Sequence, residues 1–190
     1  MEALSVVDLK KTYRTVERRT GVRGAFLDLI VPRYRELNAV DGISFTISPG
    51  EIVGYIGENG AGKSTSIKIF TGILQPGSGE VRALGLDPFR QRSSYARRIG
   101  VVFGQRTQLW WDIAVKESFE LLGRIYRVER EEFVRHRDML VDTMGIGEIL
   151  SLPVRKLSLG QRMRCDLVAS LLHKPEILFL DEPTIGLDAV

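Results

Sequence analysis

Residues 57–65 read Gly-Glu-Asn-Gly-Ala-Gly-Lys-Ser-Thr, and this stretch decides how the rest of the chain is read. Gly57, Gly62, Lys63 and Ser64 fit the phosphate-loop spacing Gly-x-x-x-x-Gly-Lys-Ser/Thr, with Glu58, Asn59, Gly60 and Ala61 between the glycines and Thr65 closing the run. Glycines have no Cβ, so backbone N–H groups can turn inward around phosphate oxygens.

The flanking residues supply the context such a loop needs. Residues 51–56 (EIVGYI) predict a short apolar strand, and residues 64–70 (STSIKIF), with Ile67 and Phe70 at helical spacing, predict the first turns of a helix. A loop that opens onto a helix N-terminus adds the helix dipole and unpaired N–H groups to its attraction for anions. Lys63 is then the point charge for β- and γ-phosphates, and the Ser64 hydroxyl is a ligand for Mg²⁺.

Composition narrows the class. At 190 residues, 44% hydrophobic and 27% charged, the chain has enough apolar material for one well-buried α/β domain. No uncharged apolar run approaches the roughly 18 residues that span a bilayer, and the opening MEALSVVDLKK lacks a signal peptide's basic start and apolar middle. Cys165 is the only cysteine, which excludes an intrachain disulfide and reads as a small buried residue in a reducing compartment. The net charge of +3 sits in residues 1–40, where eight Lys/Arg face five Asp/Glu. That excess is too small for a nucleic-acid groove.

Further out, residues 4–11 and 43–47 alternate as strands, the second before a Ser48-Pro49-Gly50 turn. Between them lies a basic insertion, residues 14–40, with an apolar run ending at Pro32. Phe26, Leu29 and Ile30 share a helical face there, suited either to covering a sheet edge or to meeting a partner or membrane. A strand is expected at 80–83, an arginine-rich helix at 88–98 and a buried strand at 99–103. Residues 113–172 are mainly helical, and 177–180 (ILFL) form a continuous apolar run suited to the middle of a parallel sheet.

Two further constellations carry chemistry. Asp181 and Glu182 follow that last strand, where a phosphate-loop protein needs a Mg²⁺ partner and a base for the attacking water. Leu157-Ser158-Leu159-Gly160-Gln161 opens a helix with Ser158 as its N-cap, a second helix start able to face phosphate.

GENGAGKST, Gln105 after the 99–103 strand, LSLGQ, ILFLDEP and the turn TIGLD ending at Asp188 stand in the order found in nucleotide-binding subunits of ATP-binding-cassette (ABC) transporters, which the chain resembles along nearly its whole length. The resemblance implies an α/β phosphate-loop NTPase fold, a RecA-like core with a parallel sheet, joined to an N-terminal antiparallel β part and a helical insertion. It implies one ABC ATP-binding domain, with residues 1–111 and 173–190 as core and β part and 112–172 as the helical subdomain. It also implies ATP and Mg²⁺ as cofactors and ATP hydrolysis coupled to transport. Two subunits would pair head to tail on an integral-membrane permease at the cytoplasmic face, with no nucleic-acid partner. Residues 57–65 would hold the triphosphate, and Ser158, Gly160 and Gln161 would close on it from the second copy. Glu182, Gln105 and Lys63 take the catalytic roles, Ser64, Gln105 and Asp181 the metal, and Asp188 a dimer contact.

The chain also departs from the family pattern. Leu159 replaces a usual glycine, which the first position of a helix tolerates because its angles are ordinary. Tyr13 matches the family's adenine-stacking aromatic, with Tyr34 as a rival. The family's switch histidine would lie beyond Val190, so the chain reads as C-terminally truncated; His173, at a helix end, reads as a dipole partner. Trp110 and Trp111 follow Gln105 and suit either anchors for a permease or packing between core and helical insertion. Together with the basic N-terminal insertion, this tryptophan-rich segment resembles ATPases of drug, lipid or polysaccharide exporters with separately encoded permeases. The competing readings are a soluble ABC ATPase acting on nucleic acid or the ribosome, and a non-catalytic ATP-binding fragment. The first calls for a long coiled coil, a zinc-binding insertion or a second cassette, and no heptads or paired cysteines are present.

Overall fold

A computed structural model gives the fold and describes residues 2–17, 21, 33–104 and 106–182. The chain divides into two compact units, Met1–Arg92 and Ser93–Val190.

The first unit is built on a long antiparallel hairpin of β1 (Leu4–Glu17) and β2 (Arg33–Ile47). After β2 come α1 (Lys63–Phe70) and β3 (Ser78–Ala83), which pairs antiparallel with β1 to give the order β2-β1-β3. Alternation puts Leu4, Val6, Val81 and Ala83 on the buried face, where Ile69 and Phe70 of α1 are also buried. The segment read as an insertion is strand at both ends, since β1 runs on to Glu17 and β2 begins at Arg33. The Phe26–Ile30 face lies outside the described residues.

The strand expected at 51–56 is not formed. Among the described residues nothing pairs with it, and Ile52 and Ile56 are 102% and 93% exposed. An apolar run becomes a strand only when a neighbour completes its hydrogen-bond ladder. Tyr55 is nevertheless anchored. Its ring meets Phe45 at 6.1 Å and Phe70 at 6.2 Å, and its hydroxyl lies 3.2 Å from the Ser66 hydroxyl on α1. The helix expected at 88–98 reduces to a turn and a short helix, α2 (Arg92–Tyr95).

In the second unit β4 (Ile99–Phe103) and β5 (Ile177–Asp181) pair in parallel, from Ile99 opposite Ile177 to Phe103 opposite Asp181. Their leading ends are pinned by Arg98, whose guanidinium donates to both Glu176 carboxylate oxygens at 2.5 and 2.8 Å. That pairing holds the Glu176 carboxyl below its ordinary range. β5 is less enclosed than its apolar run suggests, with Leu178 and Leu180 still 37% and 40% exposed. Between the strands lie α3 (Val115–Tyr126), α4 (Arg130–Met144) and α5 (Leu159–Leu171). Helix α5 packs on β4, α3 and α4. Its approach to β4 is tight enough that a Cβ on Gly100 would lie 2.5 Å from the Ser170 carbonyl oxygen.

The core of this unit gathers Val115, Phe119, Leu122, Phe133, Val154, Cys165, Val168 and Leu172. Cys165 is fully buried, as its sequence context suggested, and burial pushes its thiol up to about 12. His173 corrects an expectation. Its ring stacks on Tyr126 at 3.9 Å, Nε2 lies 2.9 Å from the Ile99 carbonyl oxygen, and burial lowers its pKa. A neutral imidazole is thus a packing and hydrogen-bonding group, not a charged partner of the helix dipole. Among the described residues no helix is long and apolar enough to cross a membrane.

Phe119 is 0% exposed at the centre of the helical core. Phe119→Ala is expected to lower the unfolding free energy by about 3–5 kcal/mol in chemical denaturation. A loss under about 1 kcal/mol would contradict this core.

Candidate nucleotide-binding site

The phosphate loop lies in the first unit. Helix α1 starts with Gly62 as N-cap at φ 84°, in the left-handed region, with no side-chain cap, and Ser66 N–H donates to the Gly62 carbonyl at 2.8 Å. A Cβ at Gly62 would stand 1.8 Å from the Ala39 carbonyl oxygen of β2, so only glycine lets the hairpin backbone come this close. Gly60 also has a left-handed φ of 87° but meets nothing within 4 Å. There glycine serves the turn angle, and Ala61 N–H donates to Glu58 O at 3.1 Å across that turn.

Lys63 turns its ammonium onto the loop. Nζ donates to the carbonyl oxygens of Gly57 at 2.5 Å and Glu58 at 2.8 Å. A cation thus sits over a glycine-rich turn, beside a helix start whose first N–H groups have no intrahelical acceptors. Together these form an oxyanion-binding arrangement. Tyr13 is half-buried opposite Leu37, with Lys11 Nζ 5.7 Å from its ring centroid, whereas Tyr34 is 62% exposed opposite Val16.

The second unit carries the other predicted groups. Asp181 ends β5, and its carbonyl accepts from Gly104 N–H at 2.9 Å. Glu182 follows with φ 53°, a left-handed angle uncommon outside glycine, and is exposed. A Cβ on Gly104 would come within 2.4 Å of the Glu182 carbonyl oxygen, so the loop after β4 lies tightly against this acidic end. Gln105 and Asp188 lie outside the described residues.

Ser158 caps α5 as expected. Its hydroxyl accepts from Gln161 N–H at 3.2 Å while Gln161 Oε1 accepts from Ser158 N–H at 2.9 Å, a reciprocal capping box. The helix begins at Leu159, which is not among the residues of positive φ, so leucine costs no backbone strain where the family pattern has glycine. Trp110 and Trp111 are 41% and 50% exposed, and the Arg162 guanidinium lies 5.6 Å from the Trp111 ring centroid. Neither tryptophan is buried in a joint.

Residues 40–185 match the family model described as ABC transporter. The chain belongs to that family, as an ATP-binding domain. It is 36% identical over 152 residues to the ABC transporter ATP-binding protein NatA of Bacillus subtilis, covering 80% of this chain and 62% of that protein. It is 35% identical to the daunorubicin resistance ATP-binding protein DrrA3 of Streptomyces coeruleorubidus, covering 82% of this chain and 49% of that protein. With the Escherichia coli probable multidrug ABC transporter ATP-binding protein YbhF it shares 34% identity over 92% of this chain and 30% of that protein. The domain thus spans 30–62% of the length of these relatives. Among solved structures, an ATP-binding subunit of an ABC transporter superposes with TM-score 0.80 at 26% identity, covering 98% of this chain and 68% of that one. A dimeric ATP-binding cassette bound to ADP and Pi superposes with TM-score 0.78 at 25% identity, covering 98% and 76%. These neighbours establish the ABC ATPase fold.

Sequence reading missed three features of this ABC domain. One is the Ala39 carbonyl against Gly62, and another is the Tyr55–Ser66 contact. The third is Asp166, a carboxylate only 5% exposed on α5. It accepts from the Thr107 hydroxyl at 2.8 Å and from Gln108 N–H at 3.0 Å. Its signal was a charge among Met163, Cys165, Val168 and Ala169, all on the buried side of the helix.

Gly62→Ala is expected to cost about 1–3 kcal/mol through overpacking, with about 1–2 kcal/mol more from a Cβ in the left-handed region. It should also weaken binding of a fluorescent ATP analogue tenfold or more; unchanged affinity would contradict the close approach to Ala39. Asp166 gives a pH test. Burial raises its carboxyl to about 6, against the opposing pull of Thr107, Gln108 and the Arg162 charge. The folded chain therefore holds this proton more tightly than the unfolded chain, so the contribution to stability falls as pH rises from 3.8 to about 6. Asp166→Asn escapes that cost. Its stability relative to the unmodified chain should climb across the window by up to about 3 kcal/mol and level off above it. A difference that shrinks with rising pH in urea denaturation would contradict the assignment.

Proposed function

We propose that this chain binds and hydrolyses ATP to power transport across a membrane, working as a head-to-tail pair on a separate permease. The observation that carries the reading is the Lys63 ammonium over the Gly57 and Glu58 carbonyls beside an uncapped helix start at Gly62. In the proposed complex the ammonium leaves those carbonyls for β- and γ-phosphate oxygens, and the N–H groups of residues 57–65 take the remaining negative charge. Tyr13 stacks on adenine.

The donor set fits Mg²⁺. The Ser64 hydroxyl and the Asp181 carboxylate offer the hard oxygen chemistry such an ion takes beside substrate phosphates, and these two residues would hold it with Gln105 as a third. When bound, the ion neutralises charge on the β- and γ-phosphates. Glu182 orients the attacking water and accepts its proton; its exposed position at the end of β5 leaves it open to substrate. Ser158, Gly160 and Gln161 of the second copy present the capped α5 start to the same triphosphate, and Asp188 contributes to the pairing.

We place residues 112–172 as the helical subdomain and Trp110 and Trp111 as aromatic anchors for the permease at the cytoplasmic membrane face. Export is favoured because relatives are named for daunorubicin resistance, multidrug transport and, in Rhizobium meliloti, Nod factor export. Pairing and permease docking are supported by the dimeric cassette bound to ADP and Pi and by cbiO1 of Clostridium perfringens, which is part of the transporter complex cbiONQ.

Two substitutions test the chemistry. Lys63→Ala is expected to weaken ATP binding at least tenfold, about 1.4 kcal/mol or more. Glu182→Gln should retain nucleotide while lowering turnover about a hundredfold or more. Wild-type turnover from Glu182→Gln would remove it as the base.

A further inference from the structure

Asp166 is an expensive residue to keep where it is. A side chain 5% exposed on the packed side of α5 would be better served by an apolar group if filling space were its only task. Its bonding pattern supplies another task. One oxygen, Oδ1, accepts from both the Thr107 hydroxyl at 2.8 Å and Gln108 N–H at 3.0 Å. The Gln108 side-chain amide reaches back to the Asp166 carbonyl at 3.0 Å, and Leu109 N–H donates to the Thr107 hydroxyl at 3.1 Å. Thr107, Gln108 and Leu109 are thus tied, directly or through one hydroxyl, to a single helical residue.

The other leg of the same loop is fastened to the acidic strand end. Gly104 N–H donates to the Asp181 carbonyl at 2.9 Å, and Arg106 N–H donates to the Phe103 carbonyl at 2.9 Å, closing a tight turn. The connection after β4 therefore runs from the residue that precedes Glu182 to a rivet on the helix that Ser158 caps. We propose that Asp166 is a positioning residue that locks this loop to α5, so that the capped helix and the Asp181–Glu182 strand end keep one relative placement during turnover. The inference rests on the ATPase reading above. It adds a residue that touches neither nucleotide nor water and acts through the loop.

The test uses the full chain with Asp166→Ala, which deletes the acceptor, and Asp166→Asn, which retains Oδ1. Measured together are ATP turnover, affinity for a fluorescent ATP analogue, and hydrogen exchange of the residue 106–109 amides. Asp166→Ala is expected to lose tenfold or more in kcat, with analogue affinity within twofold of wild type and faster exchange in the loop. Asp166→Asn should recover at least half the wild-type kcat and the slow exchange. If Asp166→Ala does not fold, Thr107→Val removes both hydrogen bonds of the Thr107 hydroxyl, to Asp166 and from Leu109 N–H, and is expected to lower kcat at least threefold with analogue affinity within twofold of wild type.

Turnover in the wild type that persists in Asp166→Ala, or in Thr107→Val where that variant stands in, overturns this inference alone, as does an Asp166→Asn protein as impaired as Asp166→Ala. No turnover in the wild type overturns the ATPase reading and this inference with it.

Discussion

The close approach of the Ala39 carbonyl to Gly62 is the constraint on which the shape of the loop before α1 depends. A helix start can serve phosphate only if its N–H groups point into open space and the loop before it curls over them. The left-handed angle at Gly62 makes that curl, and the missing Cβ lets β2 press on the turn from behind. β2 pairs with β1 from Arg33 to Ile47 with three register shifts, and Ala39 stands at one of them, between Asn38 opposite Thr12 and Val40 opposite Lys11. Tyr55 holds the entering leg by its ring contacts and its hydroxyl at Ser66, which does locally what a sheet would otherwise do. Lys63, folded back on the loop carbonyls, keeps a positive charge where an anion would bind.

The second unit handles its polar groups differently. Ser158 and Gln161 satisfy each other at the start of α5, and this fixes the direction of the helix end. Asp166 and His173 are polar side chains in largely apolar surroundings, and burial moves both toward their neutral forms. Each is tied to a strand or the loop after it, His173 to Ile99 and Asp166 to Thr107 and Gln108. The parallel pair β4 and β5, the loop after β4 and α5 thereby share hydrogen bonds beyond their apolar packing.

Much of this was legible in the residues. The phosphate-loop helix, the 99–103 strand and the Ser158 cap each have a local cause, namely glycine placement, a short apolar run bounded by polar residues, and a side chain that can reach an N–H group nearby. The strand at 51–56 failed because its pattern states that the segment is apolar and not what it pairs with. The 88–98 helix failed because Pro88 and the Asp87 carboxylate favour a turn, with Asp87 Oδ1 accepting from Phe89 and Arg90 N–H. The extra length of the β1–β2 hairpin was hidden by its charged and exposed residues, such as Arg14 paired with Glu36 across the strands.

The measurement that most directly tests the account is a backbone-amide NMR titration of the chain with Mg-ATP. The largest shifts are expected at the amides of residues 57–65, led by those next to Gly62, with affinity that weakens as salt screens the phosphate charge. Shifts confined to other residues, or none at millimolar nucleotide, would contradict it.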